Sequence, residues 1–181
     1  MTINILNEGY SPTDKTKYAS RALGSRLWDS QGHQFIDLAM AGGSAILGHS
    51  NEIIRDAVCR QLAAGSLFTH PTELAHEYCE VLAEDLSELS SVAFCSTGSE
   101  ATMRAIRVAR AATGKTKIGI FGGSWHGSHD LLLVEEDTAT PPLNPAARIK
   151  SKGSPIDILN QIVFLPYNKP EAFEIIARHA K

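Results

Sequence analysis

A chain of 181 residues that is 43% hydrophobic and 20% charged has the composition of a folded globular protein and the length to bury a core as one domain. Its net charge of −3 excludes a nucleic-acid partner bound through phosphate neutralisation. No stretch approaches the roughly 18 apolar residues of a membrane span, so no membrane partner is expected.

Residues 1–25 carry no clear period and read as an N-terminal arm; Met1–Asp14 holds no apolar run of signal-peptide length. Arg26–Leu38 predicts two short strands about the turn Ser30-Gln31-Gly32-His33. A loop of small residues with Gly42, Gly43 and Gly48 runs from Ala39 to Asn51. Glu52–Ala64 then sets Ile53, Ile54, Ala57, Val58 and Leu62 on one helical face. Beyond the loop Gly65–Pro71, a second helix is expected over Thr72–Glu88, with Leu74, Ala75, Tyr78, Val81, Leu82 and Leu86 inward.

At Val92 the pattern becomes strand–helix–strand: Val92–Cys95, Ser99–Thr113 and Lys117–Phe121, which predicts a parallel pair with a right-handed crossover. Glu135–Pro155 reads as an exposed excursion rich in Pro, Thr, Ser, Lys and Asn. Ile162–Leu165 is a third strand and Pro170–His179 a last helix. Cys59, Cys79 and Cys95 are odd in number and lack Cys-x-x-Cys spacing, which points to free thiols in a reducing compartment, the cytoplasm.

Two loops carry the chemistry. In Cys95-Ser96-Thr97-Gly98-Ser99-Glu100-Ala101 a small, hydroxyl-rich turn feeds a helix N-terminus, where backbone N–H groups and the helix dipole suit a phosphate. The same residues spell a capping box, Thr97 at N-cap and Glu100 at N3, which needs no ligand. The turn is neither a Walker A loop nor a dinucleotide fingerprint, so both readings stand locally. The second loop, Gly122-Gly123-Ser124-Trp125-His126-Gly127, follows the next strand. Ligands in parallel α/β sheets lie beyond the carboxyl ends of strands, so the two loops are expected at one crevice. Arg104, Arg107 and Arg110 read as a solvated helix face. His126 and His129 lack a further ligand at metal spacing, so no metal is expected.

With both loops placed, the chain resembles the class III, fold-type I aminotransferases that use pyridoxal phosphate, nearest the glutamate-1-semialdehyde 2,1-aminomutase branch. The resemblance runs from about Arg26 to the end: R-L-W-D-S-Q-G-H-Q-F-I-D-L, the I-L-G-H of Ile46–His49, and G-S-L-F-T-H-P-T-E-L from Gly65. It continues through S-T-G-S-E-A, the R-x-A-R-A-x-T-G-K-x-K-I block, G-S-W-H-G and the L-P-Y-N of Leu165–Asn168. It implies an α/β fold comprising an N-terminal segment and the first part of the large domain, a mainly parallel sheet flanked by helices. Residues 1–64 would be an arm, a β-hairpin and a helix of the small domain, and 65–181 an incomplete cofactor domain.

The resemblance assigns Thr97, Gly98 and Ser99 to the cofactor phosphate and Trp125 to stacking on the pyridine ring. His126 would orient that aromatic or border the ring, and Gly43 and Ser44 would line the substrate side. The aminomutases carry Trp where Gly42 stands, and the shorter arm leaves the substrate-carboxylate arginine unassigned, with Arg21 and Arg26 candidates by proximity. The lysine that anchors the cofactor as a Schiff base, and the aspartate that pairs with the pyridine nitrogen, lie downstream of L-P-Y-N in the family. None of Lys15, Lys17, Lys115, Lys117, Lys150, Lys152, Lys169 and Lys181 matches the anchoring position. The expected function is therefore the N-terminal part of an aminotransferase, inactive alone, with a small-molecule amino donor and acceptor. The full-length family implies a homodimer. The alternatives are an aminomutase of tetrapyrrole precursor synthesis and a noncatalytic module that kept the phosphate seat.

Overall fold

The computed structural model describes residues 18–86, 88, 91–140 and 145–179. Most of the expected arm, part of the end of the second expected helix, and the excursion's tip at 141–144 lie outside them. The chain forms two units, Met1–Leu82 and Ala83–Lys181.

The first unit opens on a three-stranded antiparallel sheet of β1 (Ala19–Leu23), β2 (Arg26–Asp29) and β3 (Gln34–Ile36). Strand β1 corrects the reading of 1–25 as aperiodic arm. Its sequence has little alternation, and its order comes from the β2 ladder, with Leu23 opposite Arg26 across Gly24-Ser25. Gly24 takes φ +55°, which a two-residue hairpin turn needs and glycine supplies without strain. The β2–β3 turn closes on Asp29, which is 5% exposed. Its Oδ1 accepts from the N–H groups of Gln31 and His33, both at 2.9 Å, and its Oδ2 lies 2.9 Å from His33 Nδ1.

Asp37 organises the next loop. Its Oδ1 accepts from the N–H groups of Ala39 (2.9 Å) and Met40 (3.0 Å), and its Oδ2 meets His49 Nε2 at 2.7 Å. Between them Met40, Ala41, Gly42 and Gly43 all take positive φ, from 45° to 88°. Left-handed backbone costs a non-glycine residue about 1–2 kcal/mol, so Met40 and Ala41 need the anchoring that Asp37 gives. Burial opposes ionisation of Asp29, but the His33 ring and the two N–H groups outweigh it and hold the carboxyl below its ordinary 3.8. The His49 ring and the Met40 N–H do the same for Asp37. A depressed carboxyl favours the fold while ionised: its stabilisation is complete above about pH 3.8 and is lost as pH falls through the lower, folded value. Acidification below about pH 4 is thus expected to release this loop, read as faster hydrogen exchange at Ala39 and Met40. Asp37→Asn is expected to exchange fast already at neutral pH.

Helix α1 (Glu52–Ala64) starts on Asn51, whose side chain accepts from the N–H groups of Ile53 and Ile54, and ends at Gly65 with φ +107°. Helix α2 (Glu73–Asp85) is shorter than expected at its end. Neither they nor α3 (Gly98–Thr113) contains a buried residue. The faces expected to point inward are therefore open, because an apolar stripe is buried only where another element covers it.

The core belongs to the second unit. Strands β4 (Ile118–Phe121) and β7 (Ile162–Leu165) pair in parallel, Ile120 opposite Phe164. Ile120, Phe164 and Leu165 are buried, together with Leu132 and with Ala172 and Ile175 of α4 (Glu171–His179). The parallel pair is thus β4 with β7. This corrects the expected pairing of Val92–Cys95, which forms no ladder among the described residues. The excursion is also ordered: β5 (Val134–Asp137) and β6 (Ala146–Ile149) form an antiparallel pair with Val134 opposite Ile149. Arg110 is no free surface cation, since its guanidinium donates to the Thr116 carbonyl and to Gln161 Oε1 and so ties the end of α3 to the segment before β7.

Candidate functional site

At the start of α3, Thr97 is extended and its Oγ1 accepts from the Glu100 N–H at 3.1 Å, as the capping reading requires. The reciprocal bond is displaced by one residue. Glu100 Oε2 takes the N–H of Ser96 at 3.0 Å instead of that of Thr97, while Oε1 pairs with Arg104. The Ser96 N–H first, and then Arg104, hold the Glu100 carboxyl below its ordinary range. Among the described residues, the N–H groups of Thr97, Gly98 and Ser99 consequently have no protein acceptor. Beside them the position a Gly98 side chain would fill is open space. Three unpaired N–H groups at the positive end of a 16-residue helix make this turn a candidate seat for an anion.

The loop after β4 lies against this seat, so the two sequence motifs do meet. The Ser128 N–H donates to Ser99 Oγ at 2.9 Å. Gly127 is buried with φ +118°, and a Cβ there would fall 3.0 Å from both Ser99 Cα and Thr102 Oγ1. Gly122 is required for a second reason: its Cβ would stand 2.8 Å from the Phe164 ring. His126 Nε2 lies 3.2 Å from the Phe121 carbonyl and braces the loop to the end of β4. Trp125 is 58% exposed, with Lys150 Nζ 5.5 Å from its ring centroid. His129, farther along, is pushed below the usual histidine range by burial.

The other candidates fall in the first unit. Gly43 and Ser44 belong to the left-handed turn held by Asp37, with the Gly43 N–H bonded to the carbonyls of Ala39 and Met40. Arg21 lies over the Trp28 ring at 3.9 Å and Arg26 is on β2. Lys117 immediately precedes β4, at the end opposite the Trp125 loop. Among the described residues no group of three His, Cys, Asp or Glu is placed to hold a metal, and no helix is long and apolar enough to cross a membrane. Sequence reasoning missed Ser128 and Lys150. The Gly-Ser step after His126 was a faint signal for the first, and nothing local signalled the second.

Thr97→Ala is expected to destabilise the second unit by about 1 kcal/mol, as for other N-cap losses, with Thr97→Ser restoring it. The denaturant midpoint reads both.

Residues 10–178 match the family Aminotransferase class-III. The glutamate-1-semialdehyde 2,1-aminomutase of Archaeoglobus fulgidus is 39% identical over 160 residues, 88% of this chain and 37% of that protein. An omega-transaminase from Sphaerobacter thermophilus has a similar structure, with TM-score 0.81 and 36% identity over 90% of this chain and 38% of its own. A transaminase with PLP bound gives TM-score 0.78 and 30% identity over the same shares. The chain therefore spans less than two-fifths of the length of these relatives.

Proposed function

The chain belongs to the class-III aminotransferase family and has its α/β, fold-type I architecture; we propose that it is the N-terminal part of a pyridoxal-phosphate-dependent aminotransferase acting on an amino acid or an amino-aldehyde/keto acid. The observation that carries this is the row of unpaired N–H groups at Thr97, Gly98 and Ser99 beside an open Gly98. A phosphate monoester fits such a seat, since its oxygens accept where protein groups do not. When bound, the cofactor supplies an electron sink for the pair left when a substrate Cα–H loses its proton.

This chain's residues would do the rest of the holding. Thr97, Gly98 and Ser99 bind the phosphate, Ser128 fixes Ser99, and Trp125 offers its ring to the pyridine. His126 keeps that loop on the end of β4, while Gly43 and Ser44 line the substrate side. Residues 1–64 belong in this reading to the small domain and 65–181 to the cofactor domain of a cytoplasmic homodimer, whose interface takes up helix faces left open here.

A second reading is aminomutation, in which the amino group returns to another carbon of the same molecule. The 39% identity to an aminomutase favours it.

Gly98→Pro tests the seat. Gly98 is the first residue of α3, where proline is tolerated, and the extended Thr97 before it accepts a following proline. The helix should persist while one donor is deleted. Pyridoxamine phosphate binding, followed by calorimetry, is expected to weaken about 10-fold or more, the size of one hydrogen bond to a charged group. Gly98→Ala, which keeps the N–H, is expected to lose much less. Equal binding by wild type and Gly98→Pro would refute the seat.

A further inference from the structure

We propose that Lys150 is a positioning residue for Trp125: its ammonium holds the indole so that one ring face is presented to the cofactor. This rests on the cofactor reading above.

Hairpin geometry accounts for the placement. β5 and β6 pair with Val134 opposite Ile149, and the Lys150 N–H continues that pairing to the Leu133 carbonyl at 3.0 Å. Leu132, next to it, is buried and anchors this end of the hairpin. The Lys150 backbone is therefore fixed, and its Nζ reaches 5.5 Å from the centroid of Trp125, inside the range of cation–π attraction. Trp125 needs such a support. It is 58% exposed in a loop whose neighbours Gly123 and Gly127 take positive φ, so its own packing fixes it weakly. An indole with an ammonium on one face has a single face left for an aromatic ring.

The test uses the 181-residue chain with Trp28→Phe, which leaves Trp125 as the sole tryptophan emitter. Without ligand, Lys150→Met is expected to raise acrylamide quenching of Trp125 about twofold, and Lys150→Arg to restore the original value. With pyridoxamine phosphate, which has no aldehyde to condense with lysine, Lys150→Met is expected to raise the dissociation constant about 2- to 5-fold. Lys150→Arg should bind as the parent does. Unchanged quenching in Lys150→Met overturns the proposal. So does unchanged affinity while the parent binds. Failure of the parent to bind pyridoxamine phosphate overturns the cofactor reading, and with it the presentation of a ring face, even where the quenching arm shows the ammonium on the indole.

Discussion

Gly127→Ala is expected to destabilise the Ala83–Lys181 unit by about 2–6 kcal/mol and to weaken pyridoxamine phosphate binding at least about 10-fold. Two costs add. At φ +118° an L side chain strains the backbone by about 1–3 kcal/mol. The new Cβ also falls 3.0 Å from Ser99 Cα, a backbone atom that cannot swing aside as a flexible side chain can. Overpacking of this kind costs about 1–3 kcal/mol. Relief requires the loop and the first turn of α3 to separate, which breaks the bond from Ser128 to Ser99 and moves the seat itself. Stability and binding should therefore fall together. Gly153→Ala is the control, since no atom lies near its Cβ, and its midpoint should stay within about 0.5 kcal/mol of the parent. A Gly127→Ala protein with the parent's denaturant midpoint would overturn the account of this contact.

What the sequence made legible follows the range of the forces involved. Helix α3 could be read to within one residue because its ends are written locally: Thr97 caps the first turn, and Gly114 closes the last with φ +69°. β4 and β7 were legible as short apolar runs in Ile, Val and Phe. Val92–Cys95 has the same kind of composition yet forms no ladder with a described residue, because pairing depends on a neighbour that composition does not name. Strand β6 follows a proline-rich tip and reads as loop. Its order comes from cross-strand partners such as Glu135 and Arg148, 2.8 Å apart. The same divide runs through the site. Thr97, Gly98, Ser99, Trp125 and His126 announce themselves by residue type and spacing. That Glu100 binds the N–H of Ser96, and so leaves the Thr97 N–H unpaired, is not written in residue type or spacing. The sequence allows capping and anion binding together, and the box displaced by a residue keeps the Thr97 cap while leaving N–H donors unpaired.

Supplied with pyridoxal phosphate and an amino donor, the 181-residue chain is expected to transfer no amino group faster than the free cofactor does. Holding a phosphate and one ring face does not move a proton. Transamination needs a base that takes the Cα proton and returns it to the cofactor carbon, and positioned acid–base catalysis alone is worth about 10²–10⁴-fold. The described lysines are poorly placed for it. Lys117 adjoins the wrong end of β4, Lys169 lies just before α4, and Lys152 sits in the turn after β6. Lys150 comes near the aromatic loop, but its Nζ is engaged with the Trp125 ring, 5.5 Å from the centroid. Binding and turnover should thus separate, with pyridoxamine phosphate bound and no product formed. Borohydride reduction followed by peptide mapping is the discriminating measurement. Scattered, substoichiometric labelling of surface amines is the expected result. One stoichiometric lysyl adduct accompanied by turnover would show that the chain carries its own base and overturn this reading.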